Sequence, residues 1–149
     1  MVGVLTMRSL ARDRVRGVAG GYQPGLCLWG VSGDAAVRMV QSELTDLDCR
    51  HNVTASPLKT MELFERLSAE PDAVHILDDA GAVLANKNSL VLLRSAMETV
   101  GARAVKWHSK KGWREFVFTG GIILVARCQL GDLPAYTTLA SRIPFVRYR

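Results

Sequence analysis

Apolar residues fall along this chain in two alternating rhythms. LCLWG (26–30), VHIL (74–77) and GIILVAR (121–127) are short, nearly continuous apolar runs, as expected of strands buried on both faces of a parallel sheet. Between them the spacing turns helical. After Gly33, Ala36, Val37, Val40 and Leu44 share one face, with Asp34 placed to cap the helix. HNVTA (51–55) alternates and reads as a short strand. Pro57 then opens a helix with Ser56 as its cap and Leu58, Met61, Leu63, Phe64 and Leu67 on its apolar side. A loop at 80–85 leads to a helix over 86–100, closed by Gly101. Pro134 begins a short helix through Leu139, and 144–149 reads as a last strand. Strands alternating with helices predict an α/β fold: a three-layer parallel sheet of about five strands flanked by helices. LCLW and IILVA should lie side by side near its centre.

A length of 149 residues fits one domain with a real core. No secretory signal stands at the start, and the longest apolar run, 120–126, is too short to cross a bilayer, so the expected setting is cytoplasmic, without a membrane partner. Cys27, Cys49 and Cys128 are odd in number and widely spaced, which excludes a disulfide framework and disfavours a structural zinc site. His51, His75 and His108 are equally scattered; His75, inside an apolar strand, reads as a core residue. The net charge of +5 is uneven: residues 1–25 carry +3, residues 26–100 carry −5 and residues 101–149 carry +7. Such a split points to an anionic partner or a charged subunit contact, or simply to attraction between parts of one domain.

Two segments carry candidate chemistry. The strand 26–30 runs into the turn GVSGDAAV (30–37), and the strand 74–79 ends in the carboxylates Asp78 and Asp79. A strand entering a Gly-rich turn and a helix, followed by a strand ending in acids, is the layout of a P-loop NTPase. The turn departs from G-x-x-x-x-G-K-[ST]: Ala35, Ala36 and Val37 stand where the second glycine, the lysine and the hydroxyl residue belong. The second segment is 102–120, aromatic and basic around SKKG, which reads as a basic β-hairpin before the apolar strand 121–127. Lys106, Trp107, Lys110, Lys111, Trp113 and Arg114 interleave cations with aromatics, a composition suited to single-stranded nucleic acid. Two tryptophans packed beneath a solvated hairpin would give the same pattern.

The succession of LCLWGVSG, VHILDD and FTGGIILVARCQLGDLPAYTTLASRI resembles the α/β core of AAA+ ATPases over most of residues 20–149. The resemblance implies a basic arm over 1–25 and a nucleotide-binding core over 26–149, with no lid following it. It implies ATP and Mg²⁺ as cofactors, with Gly30, Val31, Ser32, Gly33, Asp34, Ala35, Ala36 and Val37 forming the phosphate turn. Asp78 would hold the metal, Asp79 would orient the attacking water, Arg127 would stand at the γ-phosphate sensor position of the strand 121–127, and Arg142 would be an arginine finger acting across a homo- or hetero-oligomer contact. Without the lysine and the hydroxyl, hydrolysis is expected to be weak or lost, which leaves open both an eroded ATPase and a non-enzymatic assembly or nucleic-acid-binding module. Asp78 and Asp79 also suit a solvated strand end, Arg127 an ion pair across the sheet edge, and Arg142 a solvated surface.

Overall fold

A computed structural model describes residues 7–30, 33–55, 58–99, 101–133 and 135–148. The chain folds in the order α1 (Met7–Ala19), β1 (Gly25–Trp29), α2 (Gly33–Asp46), β2 (His51–Ala55), α3 (Thr60–Ala69), β3 (Val74–Asp78), α4 (Gly81–Ala85), α5 (Lys87–Ala96), β4 (Ala104–Ser109), β5 (Gly112–Val117), β6 (Gly121–Ala126), α6 (Tyr136–Leu139) and β7 (Phe145–Arg147). Five strands form one parallel sheet in the spatial order β2-β3-β6-β1-β7. The two most apolar runs are indeed neighbours, in register from Gly25 opposite Ile122 to Trp29 opposite Ala126. β6 is buried along its whole length because β1 and β3 flank it and helices cover both faces.

Alternate strand residues feed two cores, as a period of two requires. On one face Leu26, Leu28, Ile76, Ile123 and Val125 pack against α1 and α2 through Ala11, Val15, Val18, Ala36, Val40 and Leu44. On the other, Cys27, Leu77, Ile122 and Leu124 meet Leu63, Phe64, Leu67, Val83, Leu84, Leu92, Leu93 and Leu139 from α3 to α6. Each buried Leu or Phe side chain stabilises the fold by about 1.5–3 kcal/mol.

The topology positions a crevice. From β1 the chain crosses over the α2 face to the far edge strand β2; every later connection returns in the opposite direction over the other face. Crossovers of one hand demand opposite faces for opposite directions. The direction reverses between the neighbouring strands β1 and β6, and in such sheets ligands bind outside the carboxyl ends of the strands at that reversal.

Several local features differ from the sequence expectation. Much of the stretch expected as a basic arm is helix α1, whose Ala11, Val15 and Val18 are buried in the core. Its arginines mask an apolar stripe; Arg12 and Arg16 pair with Glu43 of α2. The expected loop at 80–85 contains the short helix α4. α5 ends at Ala96, earlier than Gly101, after starting where the Asn86 side chain accepts from the N–H groups of Asn88 and Ser89. Ser56, expected as a cap, and Pro57 and Pro134, expected to open helices, lie outside the described residues.

β4 and β5 form a separate antiparallel pair around the turn at Lys110 and Lys111. Its base is tied down by Arg103, which donates to Ala96 O at 3.1 Å and Gly120 O at 2.8 Å and lies over the Phe118 ring. His75 is a core residue as expected: it is buried, with Nε2 2.8 Å from Glu70 O and its ring against Phe118, and burial lowers its pKa.

Candidate functional site

Three loops meet at the carboxyl edge of β1, β3 and β6. After β1, Gly30 turns the chain with φ of +129°, and a Cβ there would stand 2.7 Å from the carbonyl oxygen of Tyr148, so only glycine passes. After β3 come Asp78 and Asp79; after β6 comes Arg127. The Arg127 guanidinium reaches back across the crevice. Its Nε and Nη2 donate to Asp78 Oδ1 at 3.3 and 3.2 Å, Nη2 lies 3.0 Å from Asp78 Oδ2, and Nη2 also donates to Asp34 Oδ1 at the start of α2. A Cβ on Gly33 would sit 2.7 Å from Arg127 Nε and 2.8 Å from its Cγ, so the arginine stem lies flat on the bare backbone of that glycine. The hydrogen bond and charge of Arg127 hold the Asp34 carboxyl below the usual carboxylate range, and Asp78, then Asp34, raise the Arg127 pKa. Asp78 is the firmer partner: its side chain is 20% exposed against 73% for Asp34, and solvent screens the more exposed pair.

The start of α2 lacks the lysine and hydroxyl side chains with which a P-loop holds Mg-ATP. In a P-loop the motif G-x-x-x-x-G-K forms the turn between strand and helix, so its backbone N–H groups can surround phosphate. Here β1 ends at Trp29 and α2 already begins at Gly33. Ala35 and Ala36, strong helix formers standing where glycine and lysine would keep the turn open, lie inside the first turn of the helix. Ala36 is 2% exposed and belongs to the α1–α2 core, and Val37 packs beside it, so position 36 does not aim at the crevice. Asp78, expected at the metal position, is engaged by Arg127. Asp79 is exposed, with a left-handed φ of +53°. Val31 and Ser32 of the expected turn lie outside the described residues.

Arg142 is folded back onto its own chain. Its side chain is 22% exposed, Nη1 donates to Thr138 O at 3.4 Å, and Nη2 is 3.8 Å from Glu98 Oε2. It precedes β7, and so lies toward the amino edge of the sheet, away from Asp78. A small cavity of about 150 Å³ lined by Arg94, Ser95, Glu98 and Arg142 marks the place.

The hairpin sorts its residues by face. Cross-strand partners are Val105 with Phe116 and Trp107 with Arg114 on one side, and Lys106 with Glu115 and His108 with Trp113 on the other. The first set faces inward: Phe116 meets Phe64 edge-on at 5.2 Å, and Arg114 lies over the Phe64 ring and pairs with Glu65. The second set faces solvent. Trp113 is 72% exposed, with its ring 4.6 Å from that of His108, and Lys106 and Lys110 are exposed beside it. Lys106, Trp113, Arg114 and Glu115 line an open cavity of about 360 Å³.

Of the six hairpin residues singled out from sequence, Trp107 and Arg114 therefore belong to packing, whereas Lys106, Lys110, Lys111 and Trp113 lie on the outer face or at the turn. His108 was missed. Counting outward from a two-residue turn at 110–111 pairs 108 with 113, so its signal was the register. Glu65 and Glu98, the partners of Arg114 and Arg142, carried no local signal because each is more than forty residues away from its arginine in sequence.

Among the described residues no three His, Cys, Asp or Glu side chains gather as a metal site, and no helix is long and apolar enough to cross a membrane. Compared with known proteins, the chain matches no protein family, and no curated protein matches it significantly.

Proposed function

We propose that this chain is an AAA+-like α/β core that does not turn over ATP and acts as a binding module, with the outer face of the β4–β5 hairpin as its contact surface. The resemblance in motif order, the parallel sheet and the crevice at the β1/β6 reversal support the P-loop ancestry. The observation that carries the loss of turnover is Arg127 lying across Gly33 between Asp34 and Asp78, in the space where phosphate and metal would be held. The partner proposed for the hairpin is single-stranded nucleic acid. An exposed indole tilted against an imidazole leaves an aromatic face for bases, and the exposed Lys106 and Lys110 supply cations for the backbone.

Two titrations test the reading. Calorimetry with Mg-ATP and Mg-ADP should show no binding; micromolar affinity would overturn the non-nucleotide part. Fluorescence anisotropy with a labelled single strand should show binding that weakens steeply with salt. Lys106→Ala with Lys110→Ala should lower both affinity and salt slope, whereas Lys87→Ala, on the exposed side of α5, should leave both unchanged. Equal affinity and slope in all three proteins would rule out the hairpin as the contact surface.

A further inference from the structure

The crevice repeats, within one chain, the order of charges that a bound phosphate and its cation would bring. An anion is favoured at the start of α2, because the first N–H groups of a helix have no internal partner and its dipole attracts negative charge there. Asp34 is the acidic residue of that first turn. A cation is needed between this anion and the carboxylate at the end of β3. Arg127 spans the gap, taking Asp34 through Nη2 and Asp78 through both Nε and Nη2.

The arginine also has a shaped seat. Its stem lies on Gly33, where any side chain would meet Nε, Cγ and Cζ at 2.7–2.9 Å. A side chain at position 33 would have to push the arginine aside. A planar guanidinium can present two donors to one carboxylate and still reach a second acid, which an ammonium group cannot do with fixed geometry.

We propose that Asp34, Arg127 and Asp78 form a resident latch that ties the start of α2 to the ends of β6 and β3 in place of an external phosphate and cation, so that the state of the crevice does not depend on nucleotide. The proposal rests on reading this crevice as a P-loop-type site, and it adds what has taken the ligand's place. The outer hairpin face would then be held in one arrangement at all nucleotide concentrations, because β6 and β3 connect the latch to the base of the hairpin.

Side-chain NMR of arginine in the native protein, with thermal melts of Arg127→Gln, Arg127→Lys and Gly33→Ala, tests the latch. The Arg127 Nε–H and Nη–H signals should be resolved by restricted rotation and unmoved by millimolar Mg-ATP. Arg127→Gln should shift backbone amides at the start of α2 and at the end of β3 as well as its own, and lower the melting temperature by about 2 °C or more. Arg127→Lys should not restore it, and Gly33→Ala should reproduce the loss of the resolved Arg127 signals. Averaged Arg127 signals in the native protein, or an Arg127→Gln variant with unchanged amides at the start of α2 and the end of β3, would overturn the latch alone. Arg127 signals that move onto added Mg-ATP would overturn the latch and the non-nucleotide reading together.

Discussion

The crevice and the hairpin are both rich in charge, yet they use it in opposite ways. In the crevice, Arg127 lies between Asp34 and Asp78, so the cation and both acids are committed to one another. On the outer hairpin face, Lys106 and Lys110 stand in solvent around a tryptophan that is 72% exposed. A single exposed indole needs no explanation by itself, so what separates the hairpin from the crevice is the setting of that ring beside exposed cations. In the crevice the charges are answered within the chain, whereas on the hairpin the cations and the ring are left to solvent.

The two faces of the hairpin sharpen the contrast, and the largest expected effect lies on the inner one. Phe64→Ala removes a ring that is 1% exposed and contacts both Phe116 and Arg114. The expected cost is about 3–5 kcal/mol in chemical denaturation, accompanied by loosening of the hairpin in hydrogen exchange. A variant with native stability would show that the inner face does not anchor the hairpin. Next in size is Trp113→Ala on the outer face. It should weaken single-strand binding by about 1–3 kcal/mol, the value of one base stacked on an aromatic side chain, with the melting temperature unchanged. A fall in stability with no change in affinity would move Trp113 from the partner surface to the packing surface.

What could be read from the sequence follows from how local each signal is. β1, β3 and β6 were legible because unbroken apolar runs need cover on both faces, and α2 because its apolar spacing is helical. The helical character of α1 was hidden by its arginines, since Ala11, Val15 and Val18 make a narrow stripe. At the crevice, the sequence offered an ion pair across the sheet edge for Arg127, which the structure bears out, but it could not say that the acids were Asp34 and Asp78. Asp34 and Arg127 are 93 residues apart, and only the neighbouring of β1 and β6 brings them together. The start of α2 at Gly33 was legible in principle, because Ala35 and Ala36 favour helix over turn.

Acid separates core from crevice. Burial lowers the His75 pKa below its ordinary value of 6.5, so the unfolded chain binds this proton more readily than the folded one. Stability from the neutral ring is therefore fully present above pH 6.5 and declines as pH falls below it, since stability rises with pH wherever the unfolded state holds more protons. Asp34 has the opposite charge type and a lowered pKa: its contribution is present above 3.8 and is lost as pH falls below that value. Between neutrality and pH 5 a melt series should therefore weaken the fold through His75 while the Arg127 side-chain signals persist. His75→Gln should flatten that part of the profile. An unflattened slope would place the acid sensitivity elsewhere.

The smallest effect separates backbone strain from hydrolytic chemistry at Asp79. The residue adopts a left-handed φ of +53°, which costs an L-residue roughly 1–2 kcal/mol, less for Asp and Asn than for most because their short polar side chains bond locally. Its side chain is exposed and Arg127 takes its neighbour instead. Asp79→Gly should therefore stabilise the protein slightly, by about 0.5–1 kcal/mol, while Asp79→Ala should destabilise it by a similar amount. Asp79→Asn keeps the tolerance for this backbone region and should be close to neutral. If Asp79 instead orients water for hydrolysis, Asp79→Asn would lower a measurable phosphate release from Mg-ATP without changing stability. The arrangement of the crevice predicts no release to lower, so the informative readout is the order of melting temperatures: Gly above Asp and Asn, and Ala below them. An Ala variant as stable as the Gly variant would show that the turn after β3 relaxes freely and stores no strain.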